Sequence, residues 1–581
     1  MPPNKRRTDR SSSTPSPYPT ERELVVIAKP SARLTTDASG ISSAAGMDIT
    51  PLQEITGAAN VTMVPMFGSE EHLRAALAAD DTPGLPDLSV FYRVLAPDGQ
   101  LESLAERAMA AEVVEAAYVK PGAQPPVRTD EMVPEAKEGP PAQTPDFVTR
   151  QGYLDPAPGG VDARHSWTVP GGRGANVNII DIEGAWQFSH EDLLANQGGV
   201  VGGTPTTDLG WRNHGTSVVG EFGGDANQRG ITGICPDAQV SAVSIFGIGS
   251  AAAIKNAADR LRPGDLIIIE LHRPGPRFAF ANRADQRGFI PVEWWEDDYQ
   301  AIRYAVARGV VVVSAAGNGA EDLDDPLYST RPAGFPQTWR NPFDRTARDS
   351  GSILVGAGAP PPGTHGRDHG PDRSRLDFSN WGAAVDVQGW GREVTTTGGL
   401  GGGPGDLQGG PNEGEWYTDR FSGTSSATPI VTGVLGDVQG ALRAAGRIPL
   451  TPARARAELR ATGSAQADAP GRPRAQRIGN RPDLRAMLPR VLQAAAVWTG
   501  TQFTGVLGPG QTACWFTFNW PAHWHVLWTV VPTTPQPGAP QIRWRTRVER
   551  ASDTYATYWI CVSNLTQSQV GIEGRYAVLG W

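Results

Sequence analysis

Short apolar runs and longer amphipathic stretches alternate through the middle of the chain. Residues 239–246, 265–271 and 310–318 are apolar runs of strand length. Residues 250–261 and 294–308 carry helical periodicity, and Gly309 closes the second. Apolar strands alternating with helices predict a parallel sheet covered on both faces. The pattern differs on either side. Residues 24–28, 88–95 and 113–119 read as strands and 101–109 as an amphipathic helix, so 21–122 form a small α/β unit. Near residue 488 the pattern changes to short strands at 514–518, 526–531, 541–548, 555–562 and 575–579. Turn signals separate them, which predicts a small β-sandwich. The expected organisation is a disordered tail (1–20), an α/β domain (21–122), a linker rich in proline and mixed charge (123–147), an α/β core (148–487) and a β domain (488–581).

The core carries four polar groups in a telling order. Asp181 closes the apolar run Asn176-Val-Asn-Ile-Ile-Asp181. His214 lies in Asn213-His-Gly-Thr-Ser217. Asn318 ends Val310-Val-Val-Val-Ser-Ala-Ala-Gly-Asn318. Ser425 sits between small residues in Phe421-Ser-Gly-Thr-Ser-Ser-Ala-Thr-Pro429, at the start of an apolar helix. A serine hydroxyl is a poor nucleophile without an adjacent base. A histidine can supply that base, and a carboxylate can fix the histidine's tautomer. An oxyanion then needs preorganised donors, which an amide side chain and a helix N-terminus provide.

From Gln151 to Gly446 the chain resembles the subtilisin-like serine proteases. They share the order aspartate, histidine, serine. Gly230-Ile-Thr-Gly-Ile-Cys-Pro-Asp-Ala238 and Asp377-Phe-Ser-Asn-Trp-Gly382 extend the likeness. The resemblance implies Asp181, His214 and Ser425 as the triad and Asn318 as the oxyanion-hole side chain of a serine endopeptidase. It implies Glu270, Leu271, His272, Ala315, Ala316 and Gly317 as substrate-binding residues. It also implies that 21–122 are a ferredoxin-like inhibitory pro-domain, cleaved off within the linker before Asp146. The chain departs from the family in two places. Asp181-Ile-Glu-Gly184 reads as the usual Asp-Ser/Thr-Gly with one extra residue. Glu270-Leu271-His272 stands where Ser-Leu-Gly is usual, so His272 is expected to narrow a pocket and Glu270 to favour a basic residue nearby. The alternative is a catalytically decayed fold acting as a protein-binding module.

Composition adds exclusions. A net charge of −9 argues against a nucleic-acid partner. No apolar run approaches the roughly 18 residues a membrane span needs. The basic N-terminus is followed by no hydrophobic segment, which argues against a signal peptide and for a cytoplasmic protein, export by another route aside. Three cysteines are too few for a disulfide framework. Cys235 reads as a small core residue, and Cys514 and Cys561 as free core thiols able to pair. The pairs His523/His525 and His365/His369 lack a third ligand, so no metal is expected. Calcium stays unassigned, with no dense Asp/Asn loop to hold it. The acidic run Glu293, Glu296, Asp297, Asp298 suits the start of a helix. The expected partners are a protein or peptide substrate and the chain's own N-terminal domain.

Overall fold

The computed structural model describes residues 18, 20–37, 40–79, 84–127, 143–493, 498–522 and 524–580. The chain forms two compact units, 1–491 and 492–581. Most of the expected disordered tail lies outside the described residues. Tyr18 corrects that expectation at one position: it is buried, with its ring edge-on to Trp211 at 5.8 Å. Burying an aromatic ring anchors the segment.

A seven-stranded parallel sheet forms the middle of the first unit. Its order is Val385–Trp390, Ile353–Gly358, Val311–Ala315, Leu266–Ile269, Asn178–Glu183, Gln239–Ser244 and Gln197–Gly202. The central strands are buried on both faces, as their unbroken apolar sequences require. Helices Leu209–Gly223 and Thr424–Ala444 bring His214 and Ser425 to the C-terminal ends of the strands. Ligand sites of open α/β sheets lie there. Pro429 falls in the second turn of its helix and so withholds one backbone hydrogen bond just after Ser425.

The N-terminal part of this unit has four antiparallel strands in the order Thr62–Pro65, Phe91–Leu95, Glu23–Ala28, Val114–Lys120. Helices Thr50–Thr56 and Leu101–Met109 supply the crossovers, which makes a ferredoxin-like split βαβ arrangement. The sequence reading missed strand Thr62–Pro65 and helices Thr50–Thr56 and Glu70–Ala79. Their apolar positions are too few and too short to stand out.

The second unit has two three-stranded antiparallel sheets. One is Trp498–Leu507, Val570–Gly580, His525–Pro532; the other is Thr512–Pro521, Tyr555–Asn564, Ile542–Glu549. Trp520 and Trp528 are core, while Trp559 is 41% exposed. Cys514 and Cys561 are joined in a disulfide, which corrects the free-thiol expectation. They face one another across adjacent antiparallel strands, so no loop must move to bring them together. Cys235 is free and buried, as expected. His523, of the His523/His525 pair, lies outside the described residues.

His365 and His369 converge on Glu393. His369 Nε2 is 2.8 Å from Glu393 Oε1, and Arg367 donates to the same oxygen at 3.2 Å. Burial pushes the Glu393 acidity down in strength, but the two histidines and Arg367 outweigh it and lower its pKa from 4.5 to about 2. A carboxylate whose pKa falls on folding adds stability above its unfolded pKa and loses it as pH falls through the folded value. Glu393→Gln is therefore expected to cost about 3 kcal/mol at neutral pH. The deficit should shrink as pH drops from 4.5 toward 2. Thermal unfolding of both proteins across that range checks this, and a pH-independent deficit would contradict it.

Candidate active site

Strand Asn178–Glu183 ends on a carboxylate that the sequence reading passed over. His214 Nδ1 lies 2.6 Å from Glu183 Oε2, with both side chains buried. Asp181 makes no hydrogen bond to His214. Its Oδ2 instead accepts from the Trp186 indole N–H at 2.7 Å. The expectation that Asp181 orients His214 is thus corrected, and so is the supposed extra residue. Side chains two apart on a strand share a face, so Asp181 and Glu183 both point toward the histidine. Glu183 is one pleat nearer the strand end and one methylene longer. Where the strand stops was the available signal: the carboxylate immediately before Gly184 is Glu183.

Four buried carboxyl side chains, Asp181, Glu183, Glu221 and Glu270, lie in this region, Glu221 near enough to Glu270 to add to the rise in its pKa. Burial pushes each of their pKa values well above the usual range, and in Asp181 and Glu270 neighbouring carboxylates add to the rise. Burial pushes His214 the other way, to about 3, against the pull of Asp181. Among the described residues, His214 Nε2, Ser425 Oγ and both Glu270 carboxyl oxygens have no hydrogen-bond partner. Glu270 lies close enough to Ser425 for the hydroxyl to ease its ionisation.

The remaining expected residues gather here too. Asn318 Oδ1 accepts the Thr424 N–H at 2.9 Å, beside the nucleophile. Its Nδ2 donates to Gln286 Oε1 at 3.0 Å, and Gln286 in turn donates to the Pro125 carbonyl at 3.0 Å. Sequence gave no sign of Gln286. The Ala316 carbonyl is held by Asn380 at 2.7 Å. Ala315, Ala316 and Leu271 are wholly buried. Gly317, at φ +90°, leaves room for the Asn380 amide, whose Nδ2 would lie 2.9 Å from a Cβ placed there. His272 Nδ1 accepts the Asn318 N–H at 3.3 Å, and its ring tilts onto Phe289. Neither Glu270 nor His272 pairs with the other.

One further segment fills the cleft. Residues 124–127, expected to belong to a free linker, lie across the site. Gln124 and His272 exchange both backbone hydrogen bonds at 3.0 Å, an antiparallel pair. The Ser425 N–H donates to the Pro126 carbonyl at 3.3 Å, and Val127 bridges to Gly423. Gly423, at φ +114°, is required by this approach: a Cβ would stand 2.1 Å from the Pro126 oxygen. Extended backbone added to a sheet edge is how many peptides are read.

M-protease of Shouchella clausii (strain KSM-K16) is 27% identical over 270 residues, 45% of this chain and 53% of that protein. Subtilisin BL of Lederbergia lenta is 27% identical over 269 residues, 45% of this chain and 75% of that protein. The chain thus spans about half the length of the first of these relatives. A solved protease of Pseudoalteromonas arctica aligns with 60% of this chain and all of its own, at 18% identity and a TM-score of 0.41. The sequence profile described as Subtilase family matches residues 173–479, just over half of the chain. This chain belongs to the subtilase family.

Proposed function

We propose that the chain is a serine endopeptidase held latent by its own N-terminal domain. Ser425 is the nucleophile. His214 takes its proton and returns it to the leaving amine. Glu183, at 2.6 Å, holds the imidazole in the tautomer that leaves Nε2 free to accept, and stabilises the imidazolium as it forms. The bond that forms is Ser425 Oγ to the scissile carbonyl carbon; the bond that breaks is that carbon to the amide nitrogen. Water then releases the acyl group by the same route in reverse. The Ser425 N–H and the Asn318 amide receive the oxyanion.

The observation that carries the latent state is the seat of the Pro126 carbonyl on the Ser425 N–H, with Gln124 paired to His272. A segment in that position occupies the place of a substrate. It implies maturation at the Pro126–Val127 bond, inside the expected linker. Proline has no N–H, so the strand pairing loses one hydrogen bond at Pro126. That favours slow cleavage over fast turnover.

The test compares full-length protein with a chain beginning at residue 148 that has refolded. The shorter chain should hydrolyse a peptide reporter at least about tenfold faster. Mass spectrometry of the full-length protein on standing should find a new N-terminus at Val127. Equal activity of two well-folded chains would refute the inhibitory role, and a first cut elsewhere would refute the assigned bond.

A further inference from the structure

Lys120 stands six residues before Pro126, and its side chain is wholly buried. Its ammonium meets Asp297, Asp298 at 3.3 Å and the Ser250 hydroxyl at 3.2 Å. Glu23 is a fourth oxygen-bearing neighbour, at 3.4 Å, from the N-terminal part of the unit. Asp297, Asp298 and Ser250 belong to the subtilase core. The acidic start of helix Glu296–Ala307 therefore does more than complement a helix dipole: two of its carboxylates hold a cation.

The chain between Lys120 and the nucleophile is also held by core groups. Arg273 donates to the Pro121 carbonyl, His272 pairs with Gln124, Gln286 donates to Pro125 and the Ser425 N–H to Pro126. The path of residues 120–126 is therefore drawn by the protease side, not only by the domain the segment comes from. Charge points the same way. On the core side the hollow has two carboxylates and one guanidinium, Arg273, whose Nε is 3.5 Å from Asp298. Glu23, 3.4 Å from Lys120, leaves with the N-terminal domain. What remains is one positive charge short of balance. Buried charges are costly without a partner, so an emptied hollow selects for a cation.

We propose that Asp297, Asp298 and Ser250 form a specificity site for a lysine ammonium six residues before the residue that donates the cleaved carbonyl. The proposal rests on the reading of residues 120–127 as a substrate-like segment. In this chain Lys120 fills the site. In a substrate, a lysine at the same distance takes its place. Arginine fits less well, because its planar fork matches a bidentate carboxylate better than three converging oxygens.

The test uses the chain that begins at residue 148 and has refolded, in which neither Lys120 nor Pro126 fills its place. Two peptides copy residues 118–130, one with lysine at the position of Lys120 and one with norleucine. The lysine peptide should be cleaved with a kcat/KM at least about tenfold higher. The ratio should fall to within about twofold when Asp297→Asn and Asp298→Asn are introduced. Equal rates on the two peptides with both aspartates intact would overturn the proposal. If the folded chain cleaves no peptide at all, the protease reading has failed instead. Fluorescence-anisotropy binding of the two labelled peptides to its Ser425→Ala variant then still decides the site: tenfold tighter binding of the lysine peptide supports it, and equal binding refutes it.

Discussion

Ser425→Ala is expected to lower turnover about 10⁶-fold, the magnitude by which triad members acting as a unit lower it in subtilisin. Alanine removes the oxygen placed to attack. The fold should survive, because Ser425 Oγ makes no hydrogen bond among the described residues and the helix keeps its backbone ladder. A second effect should accompany the first: the full-length chain should persist uncut, since the same serine would cleave Pro126–Val127. Steady-state assay and intact-mass measurement of wild type and variant check both. Appreciable hydrolysis by purified Ser425→Ala would remove Ser425 from the mechanism.

Glu183→Gln is the sharper test, because it separates two carboxylates that the sequence alone confuses. The amide keeps the volume of the side chain but cannot stabilise an imidazolium, and its N–H can force His214 into the wrong tautomer. Replacing a triad carboxylate with its amide costs on the order of 10⁴ in turnover, or about 5.5 kcal/mol of transition-state stabilisation. Asp181→Asn should change turnover by no more than about tenfold, because the amide oxygen still accepts from Trp186 and the His214–Glu183 pair is untouched. Matched kcat measurements on the processed proteins decide the order. If Asp181→Asn is the more damaging of the two, Asp181 acts on His214 after all.

The comparison of these two carboxylates also marks how far sequence could reach. The alternation of apolar strands and helices made the parallel sheet legible, because strands buried on both faces must be apolar throughout. His214, Asn318 and Ser425 were legible because each sits in a short run of small residues whose spacing the chemistry constrains. Glu183 was not, because two carboxylates two residues apart share a face and only the strand's end tells them apart. Gln286 was hidden for a different reason: its role depends on a loop fold with no periodicity to read. Lys120 and Asp297 are 177 residues apart, and no local pattern announces that pairing. Residues 124–127 looked like linker since proline-rich sequence reads as solvent-exposed, while here the same prolines run through a cleft.

Those prolines carry a consequence for chemistry outside the cell. Pro125 and Pro126 fix two of the backbone angles that a peptide must otherwise surrender on entering the groove. A synthetic tetrapeptide copying Gln124 to Val127, with an electrophile in place of the Pro126 carbonyl, would arrive with much of its bound shape already set. The molecule has in effect drafted the scaffold of its own covalent inhibitor.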